Sequence, residues 1–305
     1  MADSSANLVL QYHVRSISLP SRLPPHSIKI EAELNKLKSW ETSLVSTTNS
    51  VSAETIKIGL LGLAELYNCV EELIHSPLTQ QAILLPQNGG LVEEALEGSV
   101  GLLDSCGSAR DLFGMMKECV RDLQSALRRK GGDSSIESNI GAYMCFRKKM
   151  KKDVTKCLRA LKRKESKTGS STLLDIEHYP MMVMRVLREV TSITISVFRS
   201  LLLFLSASSS NTKSGGWSLI SKLMLTRSEA SERGQKTFNE VGSVDFALQS
   251  LHGSIQRNDA KVDLQMAQRR LQTLDASIGS LEAGLDCVFR RLIQNRVSLL
   301  NILTH

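Results

Sequence analysis

Apolar positions along the chain recur every three or four residues over long stretches. Cys106, Ala109, Phe113, Met116, Val120, Leu123 and Leu127 form an a/d seam held for three heptads. The last segment is longer still. Leu264, Ala267, Leu271, Leu274, Ile278, Leu281, Leu285, Val288, Leu292, Asn295, Leu299 and Ile302 keep the same three-four spacing to the C-terminus. Further helices are predicted over residues 28–47, with Ile30, Leu34, Leu37 and Leu44 on one face, and from Ala53 through Ile56, Leu60, Leu63, Tyr67, Val70 and Ile74. Ser76-Pro77 reads as a break and restart, because proline suits the first helical position. Two more helices are predicted over residues 176–206 and through Phe238, Val241, Val244, Leu248, Leu251 and Ile255. The alternation in "TSITISV" is the one ambiguous strand signal.

The predicted fold class is therefore all-α, a multi-helix bundle with long heptad-patterned, coiled-coil-like helices. Residues 1–27 read as a disordered tail and 28–305 as one helical-bundle domain. Flexible linkers are expected near 165–175, 206–216 and 226–236, with a short apolar segment over 217–225. Arg128-Arg129-Lys130 followed by Gly131-Gly132 marks a helix end, and Ser134 with Glu137 has capping-box spacing at the start of the next helix. Asn295, a polar residue at a seam position, is the candidate register-setting device. Phe289, Ile293, Val297, Leu300 and Leu303 widen the apolar face beyond two seam positions, which favours several neighbours over a two-stranded zipper. The charges flanking the seam agree: Arg270 could meet Asp275 on a partner helix, but Arg291 would repel Arg296.

Charge changes this picture at one place. The chain carries 38 Lys+Arg against 31 Asp+Glu, yet residues 143–167 hold eleven basic and two acidic residues, so the rest of the chain is slightly acidic. In "FRKKMKKDVTKCLRALKRK", residues 146–164, the apolar residues Tyr143, Phe146, Met150, Val154, Cys157, Leu158 and Leu161 gather on one side. The candidate anion-binding cations Arg147, Lys148, Lys149, Lys151, Lys152, Lys156, Arg159, Lys162, Arg163 and Lys164 fill the rest. Solvated charge, or charge answered by the eight acidic residues of 53–104, is the bland reading. An anionic membrane surface is the pointed one, since each Lys or Arg near such a leaflet contributes ~1 kcal/mol. Nucleic acid is disfavoured as a partner, because aromatics make up 4% of the chain and no DNA- or RNA-binding fold is recognisable.

Candidate chemistry adds little. No phosphate loop, HExxH, GxSxG or GxGxxG motif occurs, His75, His178 and His252 stand far apart, and the six cysteines show neither CxxC nor metal-ligand spacing. A non-enzymatic protein without cofactor or metal is expected, with its cysteines reduced and acting as small hydrophobes. The Ser-rich N-terminus lacks the apolar core of a secretory signal, though it also admits an organellar transit peptide. Residues 190–207 are apolar enough to suggest a membrane span but contain Arg199, so they read as a buried helix. The expectation is a cytoplasmic protein, neither secreted nor membrane-spanning, with peripheral membrane attachment as the alternative. Within the tail, Arg15, Ser18 and Pro20 fit the R-S-x-S-x-P pattern that 14-3-3 proteins read once Ser18 is phosphorylated.

Several stretches together resemble the plant BYPASS-like family, a plant-specific group long catalogued as a domain of unknown function. They are Leu19-Pro20-Ser21-Arg22, "KLKSWE", "LYNCVEELIHSPLTQQAI", "ARDLFGMMKECVRDLQSALRRKGGD", "YMCFRKKMKKDVTKCLRALK" and "FRRLIQNRVSLLNILTH". The resemblance spans nearly the whole chain. It implies a helical, non-enzymatic plant protein connected with root and shoot development, acting through protein partners, and it carries no catalytic or ligand residues.

Overall fold

In the computed structural model, residues 25–46, 51–85, 89–129, 133–168, 179–207, 238–255 and 260–304 are described. Among them lie eight α-helices and no strand: α1 (Pro25–Ser46), α2 (Ala53–Ile74), α3 (Pro77–Leu84), α4 (Gly89–Arg128), α5 (Asp133–Thr168), α6 (Tyr179–Ser206), α7 (Glu240–Ile255) and α8 (Lys261–Thr304). The all-α reading therefore holds. The stretch "TSITISV" lies inside α6, where tertiary burial overrides its β-branched preference.

The longest helix, α8, packs against α2 on one side, α4 on another and α7 near its start. Every seam residue from Ala267 to Leu299 is buried, because an apolar stripe that long must be covered along its length. Lys117 pairs with Glu282, Arg121 with Asp275 at 3.1 Å, and Gln268 donates to the Leu127 carbonyl at 3.0 Å, so α4 runs antiparallel to α8. Asp275 is thus answered by Arg121 of the same chain rather than by Arg270 of a partner helix. On the other side Leu60 of α2 lies against Gly284, and Tyr67 lies beside Asn295, so α2 runs parallel to α8. The Phe113 and Phe204 rings stack at 6.3 Å between α4 and α6.

Local chemistry sets the helix boundaries. Ser52 and Ser76 cap α2 and α3 by accepting from the backbone N–H groups of Thr55 and Thr79, each at 3.3 Å, and Pro77 opens α3. Helix α5 begins at Asp133, two residues before the first helical position that the Ser134 capping box implies, and continues to Thr168. Residues 165–168 of the expected linker are therefore helical. Residues 1–24 of the expected tail, Gly131-Gly132, residues 208–216 and 226–236 of the other linkers, and the apolar segment 217–225 lie outside the described residues, whereas residues 25–27 of that tail belong to α1. Helix α6 is long and apolar enough to cross a membrane by length and composition, and most of it is buried by the other helices. Its Arg199 pairs with Glu165 of α5 at 2.5 Å.

The cysteines divide. Cys69 and Cys106 are buried, and burial pushes the Cys106 thiol up to about 12. Cys145, by contrast, is exposed on α5, which corrects the expectation that all six sit among core residues.

Helix α1 shows how tightly the layers meet. Trp40 donates its indole N–H to the Thr55 carbonyl at 2.8 Å and lies flat against Gly59, where a Cβ would come within 2.5 Å of the ring. Glycine there is a packing requirement. At Gly114, in the middle of α4, a Cβ would meet nothing within 4 Å. Urea unfolding is accordingly expected to show Gly59→Val destabilised by roughly 1–3 kcal/mol through overpacking. Gly114→Ala is expected to be stabilised by about 0.5–1 kcal/mol through helix propensity. A neutral Gly59→Val would contradict this packing.

Candidate functional site: the basic helix and its anchor

Helix α5 lies against α4 and α6 and touches α7. At its centre one cation of the basic run turns inward. Arg147 is 2% exposed, and its Nε donates to Asp245 Oδ1 of α7 at 3.1 Å. Its two terminal nitrogens also donate to the carbonyls of Leu205 and Ala207 at 2.6 Å each. Those carbonyls close the C-terminal end of α6, where the helix dipole favours a cation. Tyr143, one turn earlier on α5, donates its hydroxyl to the same Asp245 Oδ1 at 3.1 Å, and burial raises its pKa well above the usual value. Asn239 adds a further tie, donating to the Phe204 carbonyl at 3.0 Å while its Oδ1 accepts from Gly242 N–H at 2.9 Å. A charge this deeply buried persists because it is paired and its donors are satisfied.

This removes Arg147 from the anion-binding set. A side chain that spends its donors on Asp245 and two carbonyls inside the bundle cannot reach a surface ligand. Two others are half-buried. Lys151 has its pKa lowered by burial and then by the nearby Arg147, and Lys164 donates to the Gly101 carbonyl and to Ser105 Oγ, the latter at 3.0 Å. The remaining seven, Lys148, Lys149, Lys152, Lys156, Arg159, Lys162 and Arg163, are exposed. At 100° per residue they fall within an arc of about 140° and span about 22 Å of helix. That arc lies opposite Tyr143, Met150, Val154 and Leu161, all buried in the core.

The acidic segment 53–104 does not neutralise this face. Several of its carboxylates are directed elsewhere: Glu72 pairs with Lys29 of α1 at 2.8 Å, Glu94 with Arg188 of α6 at 2.8 Å, and Glu54 with Lys57. Glu71 accepts from Asn295 Nδ2 at 2.9 Å and from Ser298. At the far end of α5 the two segments do meet, where Asp104 raises the pKa of Lys164 against the larger effect of burial. Along the exposed face, Lys156 has a partner on its own helix, Asp153, at 3.0 Å.

Asn295 sits within the fold of its own chain. It is buried, and its Nδ2 donates to the Tyr67 carbonyl at 3.2 Å as well as to Glu71, tying α8 to α2. Arg15, Ser18 and Pro20 of the tail motif lie outside the described residues. Among the described residues, no cluster of His, Cys, Asp or Glu could hold a metal ion.

The Arg147–Asp245 anchor escaped the reading of the sequence, although a signal existed. Tyr143, Arg147, Met150 and Val154 advance by four, three and four, so the α5 seam runs through the arginine rather than through the half-buried Phe146. Likewise Asp245 interrupts the apolar face of α7 next to Val244.

The family profile described as Protein BPS1 matches residues 59–302. The chain belongs to this family. The match runs from within α2 almost to the end of α8, so the basic helix, its buried anchor and Asn295 are all parts of the Protein BPS1 region. Membership in the Protein BPS1 family makes this a protein related to plant development. No curated protein and no solved structure matches the chain.

Truncating one partner of the anchor leaves a buried charge alone. Asp245→Ala is expected to lower unfolding free energy by about 3–5 kcal/mol, whereas Arg147→Met combined with Asp245→Leu is expected to recover most of that loss. Equal destabilisation by the single and double variants in urea titrations would contradict the pairing.

Proposed function

We propose that this protein is a non-enzymatic interaction factor connected with root and shoot development, cytoplasmic, that docks on an anionic membrane surface through α5. The observation that carries the reading is the row of seven exposed cations on one face of α5, set opposite its core stripe, while Glu71, Glu72 and Glu94 of the acidic segment 53–104 are engaged with α8, α1 and α6. A straight basic ridge suits a flat negative surface, to which each cation near the leaflet adds ~1 kcal/mol. Proteins that work by docking need no acid, base or nucleophile, in keeping with the lack of any catalytic motif in the sequence.

A second reading, a protein partner, draws support from a different surface. Near the C-terminal end of α8, Ile293, Val297, Leu300 and Leu303 are exposed. They belong to the widened apolar face for which several neighbours were expected, and an apolar strip of this kind suits a partner protein. The tail motif adds 14-3-3 as a candidate partner. Phosphorylated peptide 10–26 is expected to bind a 14-3-3 protein, and failure while a control phosphopeptide binds removes that partner.

Sedimentation with vesicles tests the main reading. The full chain is expected to pellet with phosphatidylserine-containing vesicles and to stay in solution with phosphatidylcholine alone. Binding should weaken as ionic strength rises from about 0.1 to about 1 M. Replacing Lys148, Lys149, Lys152 and Lys156 together with Glu should reduce binding by more than roughly tenfold. Indifference to lipid charge would sink the membrane reading and leave the protein-partner one standing.

A further inference from the structure

A cavity of about 600 Å³ opens where α2, α4, α6 and α8 converge, with Lys164 of α5 at its wall. The volume is that of a small-molecule site, for which roughly 300–1,000 Å³ is usual. Much of the lining is hydrocarbon, supplied by Val70, Leu102, Leu187, Val190 and Leu292 among others. Set into it are three cations, Lys164, Arg188 and Arg296, against two carboxylates, Glu94 and Glu97.

Two residues that line it each carry one polar atom buried without a partner, Asn295 Oδ1 and Arg188 Nη1. The asparagine is 6% exposed. Its orientation is fixed by its neighbours: the Tyr67 carbonyl and the Glu71 carboxylate both accept hydrogen bonds, so the Nδ2 must face them. That leaves an acceptor, Oδ1, in need of a donor. The arginine grips Glu94 with Nε and Nη2, each at 2.8 Å, which leaves Nη1 on the other edge of the guanidinium as a donor in need of an acceptor. The hydrogen bond from Arg188 holds the Glu94 carboxyl below the usual carboxylate range. Arg296 directs its Nη1 to neutral acceptors, the Leu96 carbonyl at 2.6 Å and Ser99 Oγ at 2.7 Å, so dipoles rather than a carboxylate answer its charge. Leaving a buried donor and a buried acceptor unsatisfied is costly. A ligand that supplied both groups would recover that loss.

We propose that this cavity binds a small amphipathic oxyanion. Its apolar body lies along the hydrocarbon wall, its carboxylate or phosphate oxygen accepts from Arg188 Nη1, and its hydroxyl donates to Asn295 Oδ1. The site uses none of the seven exposed cations of α5, so it stands independently of membrane docking.

Isothermal titration calorimetry of the full chain tests this with two probes, both kept below their micelle concentrations. These are 12-hydroxydodecanoate, a free hydroxy acid, and 1-lauroyl lysophosphatidate, a lipid bearing a phosphate and a hydroxyl. At least one is expected to bind with one molecule per chain, and the tighter of the two identifies the source of the head group. The methyl ester of the hydroxy acid, which lacks the charge, should bind at least roughly tenfold more weakly than the acid, as should the hydroxy acid to Arg188→Lys, which keeps the charge beside Glu94 but loses Nη1. Gly98 lines the cavity on α4, and a Cβ there would meet nothing within 4 Å, so Gly98→Phe should fill the space and abolish binding with its helix content unchanged. Gly107→Phe, equally open but away from the cavity, should bind as the parent does. The proposal is overturned if neither probe binds, if Gly98→Phe binds as tightly as the parent, or if the methyl ester binds as tightly as the acid.

Discussion

One buried ion pair pins α5 in the orientation that its buried apolar stripe also requires. Arg147 belongs by sequence to the basic run, but it is drawn inward to Asp245 and to the two carbonyls that end α6. Because a helix is rigid about its axis, fixing this side chain fixes the rotation of every other side chain on α5. Lys148, Lys149, Lys152, Lys156, Arg159, Lys162 and Arg163 are thereby turned to solvent as a group. An ion pair of this kind contributes little net stability over a hydrophobic substitute, since desolvation offsets much of the attraction. It favours the same rotation of α5 as the buried stripe of Tyr143, Met150, Val154 and Leu161, and that rotation decides what the protein presents to its surroundings.

The rest of the bundle provides the frame for that choice. Helix α8 holds α2 and α4 on two sides through a continuous apolar seam, and the polar contacts along it are complementary to the register. Near the C-terminal end the seam changes character. Asn295 replaces an aliphatic residue and the small residues Gly98, Ser99 and Gly101 of α4 face the same region, so packing gives way to an amphipathic cavity. Bulkier side chains at these positions would have filled the space between the four helices. The same contact surface thus supplies rigidity over most of its length and space at one end.

Much of this was legible in the order of residues. Three-four spacing located the cores of α2, α4, α7 and α8 because a buried stripe leaves a direct trace in sequence, and Ser76-Pro77 marked a boundary because its chemistry is local. The basic face of α5 was legible for the same reason. What escaped were contacts between segments far apart in the chain. Arg147 looks like any other cation of its run until Asp245, 98 residues later, is placed beside it. The acidic residues of 53–104 matched the basic helix in charge but not in position, because Glu72 and Glu94 face α1 and α6 instead. The cavity left no periodic signal at all, since it arises from small residues on one helix meeting polar ones on another.

The rotation of α5 can be measured without any ligand. Brief acetylation of the native chain, read by mass spectrometry, reports how accessible each lysine amine is. Lys148, Lys149, Lys152, Lys156 and Lys162 are expected to react at nearly the rate of the unfolded chain, while Lys164, bonded to Gly101 and Ser105, is slowed. Protection of the first five, or reaction of Lys164 as fast as theirs, would mean that α5 is turned differently and that its cations do not form the outward face described above.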